Sequence, residues 1–446
     1  MSPKADQLAR LVEPVYGPPL EGGEILLYAG DLEVRNGEHT GTLHGQVELR
    51  LFPTSDLKAH VAGSGIDLFR LTIGASDTQA TAVPADAVLD PPKASTLPDQ
   101  QPEDTQWAES WIDAQGLTGG DLDSAERLLV HYTGALDPLI RRLTDVEEGG
   151  SQGQISFELP GWSLVLAPIP KDDRLEGGFA GAIEATPTDD HLDRGEVDRL
   201  SYRLFAILSL IATREVAIGP ICGLDPSNRV VWAHWDAPRM RLGRGIGWCP
   251  RALIPTALPA LAKGYASLIA DRALVDVFER AVEALLFADS GEVLDVRIPI
   301  ACIGIELLAW AVLPRWAGVD ETEADELKAG PAARLLLEWA GIPTEIPDEL
   351  PALAARRDAL NQRGWGGPEI LFNVRNRLVH PPKSRDDPEW PNHDVMVEAW
   401  QLATWYLQLA ILRLLDYHGH YRTVLVFGGS EARSEPVPWA EASASR

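Results

Sequence analysis

The chain has 446 residues, of which 45% are apolar and 14 are tryptophan, and a formal net charge of −27. That length suits roughly two to four domains, and the apolar content excludes a disordered chain. Cys222, Cys249 and Cys302 are scattered without zinc-like spacing, the first residues lack the apolar core of a secretory leader, and no run of about 18 uncharged apolar residues occurs, so the expectation is a cytoplasmic protein with no disulfide framework, no metal, no cofactor and no membrane association.

The charge is unevenly spread. Residues 1–200 hold 14 basic against 35 acidic side chains, a balance of −21, whereas residues 201–446 hold 25 against 31, a balance of −6. An acidic surface repels nucleic acid, which is bound by neutralising phosphates, so any RNA must enter through a local basic site. Arg375, Arg377, Lys383 and Arg385 lie within eleven residues and form one candidate, next to the acids Asp386, Asp387 and Glu389.

In chain order, the front half shows short β-like runs at Glu24–Tyr28, Gly41–Leu51, Leu68–Ile73, Gln154–Leu159 and Trp162–Ala167, separated by glycine, proline and aspartate as in an antiparallel domain. The proline- and acid-rich stretch between Val83 and Asp113 reads as a long exposed loop or linker. Residues 122–145, with Leu128, Leu129, Leu136 and Leu143 in the apolar positions, read as a short helix.

From Gly195 the period turns helical. Arg199–Thr213 reads as one helix, followed by a strand at Arg229–Trp232 and a glycine-rich turn, Gly243–Gly247, that follows no clear βαβ unit, lacks the third glycine spacing and so reads as a plain loop rather than a nucleotide loop. Helices are then expected at about 258–288, 293–313, 331–341, 350–362, 368–380 and 394–417. Pro368 sits well in a first helical turn, and Asp394 is the expected cap of the last long helix. The reading is an α+β chain: an acidic β-rich N-terminal domain (1–190), a connecting α/β segment (191–254), an all-α bundle (255–425) and a C-terminal tail (426–446).

The segment Arg375-Asn-Arg-Leu-Val-His380 is followed by Pro381 and Pro382. Proline disfavours a helical conformation in the residue before it, so the helix should end at or just before His380. In an unbroken helix, positions five apart point about 140° apart; a helix that stops at the histidine lets both side chains turn toward one phosphate.

Ile370-Leu-Phe-Asn-Val-Arg-Asn-Arg-Leu-Val-His380 with Pro-Pro resembles the HEPN superfamily, helical bundles whose active members carry an arginine, four to six intervening residues and a histidine. Asn376 matches the polar residue after the arginine. Glu306, in Gly304-Ile-Glu-Leu-Leu-Ala309, is similar to an acidic position on the family's first core helix. The long closing helix and Tyr417-His-Gly-His-Tyr421 look like the tail of larger HEPN proteins of bacterial phage defence, which carry a β-rich front domain.

The resemblance implies metal-independent RNA cleavage by 2′-hydroxyl attack, with His380 in proton transfer, Arg375 on the phosphate and Asn376 as orienting group. Glu306 and Arg377 would support them, and Lys383 and Arg385 would bind RNA. It also implies a homodimer through the bundle and a regulatory or phage-derived trigger. A non-catalytic binding or dimerisation scaffold is the alternative. A bundle paired with a separate nucleotidyltransferase is a third reading, whose glycine-serine and paired-aspartate signature this chain lacks. His418 and His420 read as a helix-end turn rather than a metal site.

Overall fold

The computed structural model describes residues 24–36, 39–50, 56–64, 81–84, 107–113, 117–134, 154–168, 179, 181–189, 192–236, 247–290, 293–380, 390–425 and 434–440. The chain is α+β, with a β-rich N-terminal region followed by a helical one. It forms two compact units: Met1–Phe205 with Val216–Met240, and Ala206–Glu215 with Arg241–Arg446.

The first unit is built on two antiparallel sheets. One has the order β4-β1-β2-β3-β5, from β1 (Ile25–Asn36), β2 (His39–Arg50), β3 (Asp56–Ser64), β4 (Thr81–Pro84) and β5 (Trp107–Asp113). The other has the order β6-β12-β11-β7-β10-β9-β8, from β6 (Leu117–Gly120), β7 (Arg127–Gly134), β8 (Ile155–Leu159), β9 (Trp162–Pro168), β10 (Gly181–Pro187), β11 (Val216–Leu224) and β12 (Val230–Trp235). Strand chemistry follows position. At the sheet edge, β8 alternates buried Ile155, Phe157 and Leu159 with exposed Ser156 and Glu158, whereas β11 in the interior is almost wholly buried. Gly161, at φ +84°, makes the tight turn between β8 and β9, a backbone conformation that side chains other than glycine rarely adopt. Leu32, Val47, Leu49, Cys222 and Trp235 share one core cluster drawn from both sheets, and Tyr28 and Trp235 meet at 6.0 Å between ring centres.

Two expectations for this region need correction, and others fall outside the described residues. The described part of the expected helix at 122–145, residues 122–134, is not helical: a short 3-10 turn at Leu122–Ser124 leads into β7, an interior strand hydrogen-bonded to β10 and β11. A short apolar run such as Leu128-Leu-Val suits a buried strand or a helix equally by periodicity, and pairing on both sides decides it. The stretch from Val83 to Asp113 is not all loop, since Trp107–Asp113 pairs with β3 as an edge strand. The runs Leu68–Ile73 and Gly243–Ile246, and the residues Leu136 and Leu143, lie outside the described residues.

A long helix, α1 (Arg194–Ala212), belongs to the first unit up to Phe205 and to the second from Ala206. The second unit continues with α2 (Ile254–Leu268), α3 (Arg272–Ala288), α4 (Leu294–Trp316), α5 (Glu321–Glu326), α6 (Ala329–Ala340), α7 (Pro351–Ala359), α8 (Gly367–Val379) and α9 (His393–Leu414), then a small ribbon of β13 (His420–Arg422) and β14 (Ser434–Pro436). The expected single helix at 258–288 is two. Asp271 interrupts it in an extended conformation, its Oδ1 accepting the N–H groups of Ala273 and Leu274 and so capping α3. Asp394 is not the cap of α9; Asn392 is, its Oδ1 accepting the N–H of Val395 at 2.9 Å, with Asp394 in the first turn.

Helix α4 is long and apolar enough to cross a membrane by length and composition. Its buried residues, among them Ile298, Ile305, Leu308 and Val312, make it a core helix of the bundle, which accounts for its apolar character. Burying each such side chain contributes about 2 kcal/mol. Backbones approach closely where α2 crosses the end of α9: a Cβ on Gly264 would lie 1.9 Å from the Leu415 carbonyl oxygen.

Candidate functional site

Helix α8 carries the Arg–His motif, and its two ends are fixed by different means. At the start, Pro368 occupies the first turn and Glu369 reaches back to accept the Gly366 N–H at 2.9 Å. The same carboxylate is held in a fork by Arg334 of α6, with contacts of 2.5 and 2.6 Å. Burial raises the Glu369 carboxyl, but the hydrogen bonds from Arg334 and the backbone outweigh it and hold the group below its ordinary value. At the far end the helix stops at Val379, and His380 leaves it in extended conformation (φ −120°, ψ 140°), its N–H still bound to the Asn376 carbonyl at 3.1 Å. The proline pair therefore ends the helix where the sequence places the stop.

Three of the expected site residues come together at the junction of α8 with α4. The Arg375 guanidinium lies 3.1 Å from Glu306 Oε1 on α4, and its Nη1 donates to Asn376 Oδ1 at 3.1 Å. The arginine side chain is 21% exposed and the glutamate 35%, so the pair is partly shielded from water while remaining open to a ligand. Arg375 Nε is buried and has no hydrogen-bond partner among the described residues, which leaves the guanidinium with unused donor capacity. One turn before Glu306, the fully buried Cys302 has its thiol pushed up by burial, opposed by the nearby Arg375 charge. A thiol held protonated in this way is packing, not a nucleophile.

His380 is not joined to this group. It is exposed, and among the described residues no side-chain hydrogen bond links it to Arg375 or Glu306. Arg377, three residues before it in the last turn of α8, is half-buried. Lys383 and Arg385 lie outside the described residues.

Sequence reasoning missed two carboxylates that organise the region. Glu369 is one; its signal was the third helical position behind Gly366-Gly367-Pro368, a capping-box place. Glu398 of α9 is the other, accepting the N–H groups of Ala352 and Leu353 at 3.0 and 2.8 Å and so capping α7, a contact no local pattern reveals. Glu398 also borders an open cleft of about 620 Å³ with Glu349, His393, Asp394, Val397, Gln401 and Leu425. With three carboxylates on its wall that cleft disfavours phosphate, and none of the motif residues lines it. His418 Nε2 pairs with Asp416 at 3.0 Å, and among the described residues no cluster of histidine, cysteine or carboxylate groups is arranged to hold a metal ion.

Known proteins offer two comparisons and no solved structure that matches. The chain is 25% identical over 258 residues to the SPbeta prophage-derived uncharacterized protein YopA of Bacillus subtilis (strain 168), an alignment covering 56% of each chain, so it spans about half the length of this curated relative. Residues 271–432, which run from the cap of α3 past β13 and contain Glu306, Arg375 and His380, match the family described as the YopA C-terminal domain.

Proposed function

We propose that the chain is a metal-independent endoribonuclease of the HEPN type, acting in the cytoplasm and in a phage-linked setting. The observation that carries this reading is Arg375: a cation kept half-buried on a helix, positioned by Glu306 and Asn376, five residues before a helix-terminal histidine. The prophage origin in the relative's name supports the phage-linked setting.

In the proposed reaction a 2′-hydroxyl attacks the adjacent phosphorus, the 5′-oxygen leaves, and a cyclic phosphate and a 5′-hydroxyl result. Histidine moves protons near neutral pH, the task assigned to His380; Arg375 holds charge on the phosphorane, and Asn376 fixes the guanidinium. The chemistry requires the two side chains to meet at one phosphate, from one chain or from two. A homodimer through the bundle serves this. Val296, Ile303 and Trp310 repeat at seven-residue spacing on α4 and are 39%, 46% and 55% exposed, an apolar stripe on the helix that bears Glu306. The same stripe favours a second reading, a bundle that assembles without catalysing. The acidic front half is proposed to restrain the activity until a trigger arrives.

The test is incubation of the purified protein, beside His380→Ala and Arg375→Ala, with total cellular RNA in excess EDTA, reading fragment sizes and end groups. Cleavage by the parent alone, leaving cyclic-phosphate ends, is expected. A stable dimer without cleavage, unaffected by His380→Ala, would establish the scaffold instead.

A further inference from the structure

A chain with a net charge of −27 has little reason to leave arginines unpaired, yet the segment 351–380 carries five arginines against two acids, Asp358 and Glu369. Three of the five have carboxylate or local partners: Arg357 is paired with Asp358 at 3.0 Å, Arg375 with Glu306, and Arg356 donates to Asn373 Oδ1 at 3.3 Å. Glu369 is occupied by Arg334. Arg363 and Arg377 have no ion pair among the described residues, and Arg363 is exposed.

Their placement is ordered. Asn373 and Arg377 stand at i and i+4 and so share one face of α8, and His380 follows three residues on, where the helix has ended. Arg356 is tied to the first of them from α7. Arg363 lies in the connection between α7 and α8, ahead of the first turn of α8. We propose that this edge of α7 and α8 is a phosphate track that holds the backbone of a single-stranded RNA on one side of the bond to be cut, with Arg363 and Arg377 contacting phosphates and Arg356 positioned between them.

The inference rests on the ribonuclease reading for its ligand. Charge complementarity commits it to RNA: spaced guanidinium groups, Arg363 exposed and Arg377 half-buried, match a strand with one charge per nucleotide, and in an acidic molecule such a local group is where the strand meets least repulsion. Arginine contacts of this kind fix register without reading sequence.

The experiment uses full-length protein carrying His380→Ala, so that the probe is not consumed, and a fluorescently labelled single-stranded RNA of mixed sequence, titrated across a range of salt concentrations. Adding Arg363→Ala and Arg377→Ala together is expected to weaken binding about tenfold at low salt and to flatten the slope of log affinity against log salt by about 1.4, the effect of two lost phosphate contacts on a single strand. Arg363→Lys with Arg377→Lys keeps both charges and most of the slope, and Arg280→Ala, an exposed arginine on α3, changes neither. Unchanged affinity and slope in the double alanine variant, an equal loss with Arg280→Ala, or no RNA binding by the parent overturns the track. If the wild-type protein cuts no RNA while this binding pattern holds, the ribonuclease reading falls and the track stands; if it cuts RNA while the double variant binds like its parent, the reverse follows.

Discussion

The sheet unit and the helical unit bury ionisable groups in opposite ways. In the sheets, His131 is enclosed on β7 with Nδ1 3.1 Å from the Pro220 carbonyl oxygen, and burial pushes it down to about 4, so it is neutral over the working range. Burial likewise raises Glu184 of β10, against the pull of Arg127. In the helices, charge is kept and paired: Arg334 with Glu369, Arg375 with Glu306. A sheet core tolerates a neutral polar group that finds one carbonyl, whereas a guanidinium on a helix stays charged at any working pH and needs an anion. The sheets hold a half-buried pair as well, Arg127 with Glu184 at 3.3 Å, but there burial raises the carboxyl in spite of the arginine, whereas in the bundle the Arg334 fork keeps Glu369 below its ordinary value.

The sharpest test of that contrast is chemical. His380→Ala is expected to lower RNA cleavage by about 10²–10⁴-fold while leaving thermal unfolding unchanged, because the side chain is exposed. A loss of stability of the same size as the loss of activity would make the residue structural. The next effect belongs to the sheets. The folded pKa of His131 is depressed, so between about pH 6.5 and 4 the unfolded chain binds the proton and the folded one does not; stability falls across that window by up to about 3 kcal/mol. Glu184, raised by burial, works in the other direction, so the histidine is isolated by comparing the parent with His131→Leu. Hydrogen exchange at the β7 amides should show a steep acid limb in the parent and a flatter one in the variant. In the bundle, Gly264→Ala pushes a methyl into the Leu415 carbonyl and should cost about 2 kcal/mol at any pH, read as a lower melting temperature.

The same contrast governs what could be read from the sequence. Helical periodicity located most of the bundle because long amphipathic helices repeat their pattern over several turns; the errors came where one residue outranks the pattern. Asp271 looks like an ordinary polar position until its side chain is seen capping α3, and Asn392 outcompetes Asp394 by standing one place before the first helical residue. In the sheets, Leu128-Leu-Val was misread because its neighbours, β10 and β11, arrive more than 40 residues later. At the candidate site, Arg375 and Glu306 were each legible, but their 3.1 Å pairing depends on α4 and α8 meeting. The bidentate Arg334 fork on Glu369 was invisible for the same reason.

That fork gives the smallest effect and the one that separates the two units most cleanly. Glu369 lies below its ordinary value of 4.5 because Arg334 and the Gly366 N–H together outweigh the cost of burial. A depressed carboxylate stabilises the fold above its unfolded pKa and ceases to do so as pH falls through the folded one. Glu369→Gln should therefore cost about 1.5 kcal/mol at neutral pH, where the charge-assisted pair is intact. The deficit should hold steady from pH 7 to 5, across most of the window in which His131 erodes the sheets, and narrow only below about 4.5. Melting curves of parent and variant at matched pH measure it. A deficit that shrinks already between pH 6.5 and 5 would mean that the carboxylate titrates with the histidine, and that the two units answer acid as one.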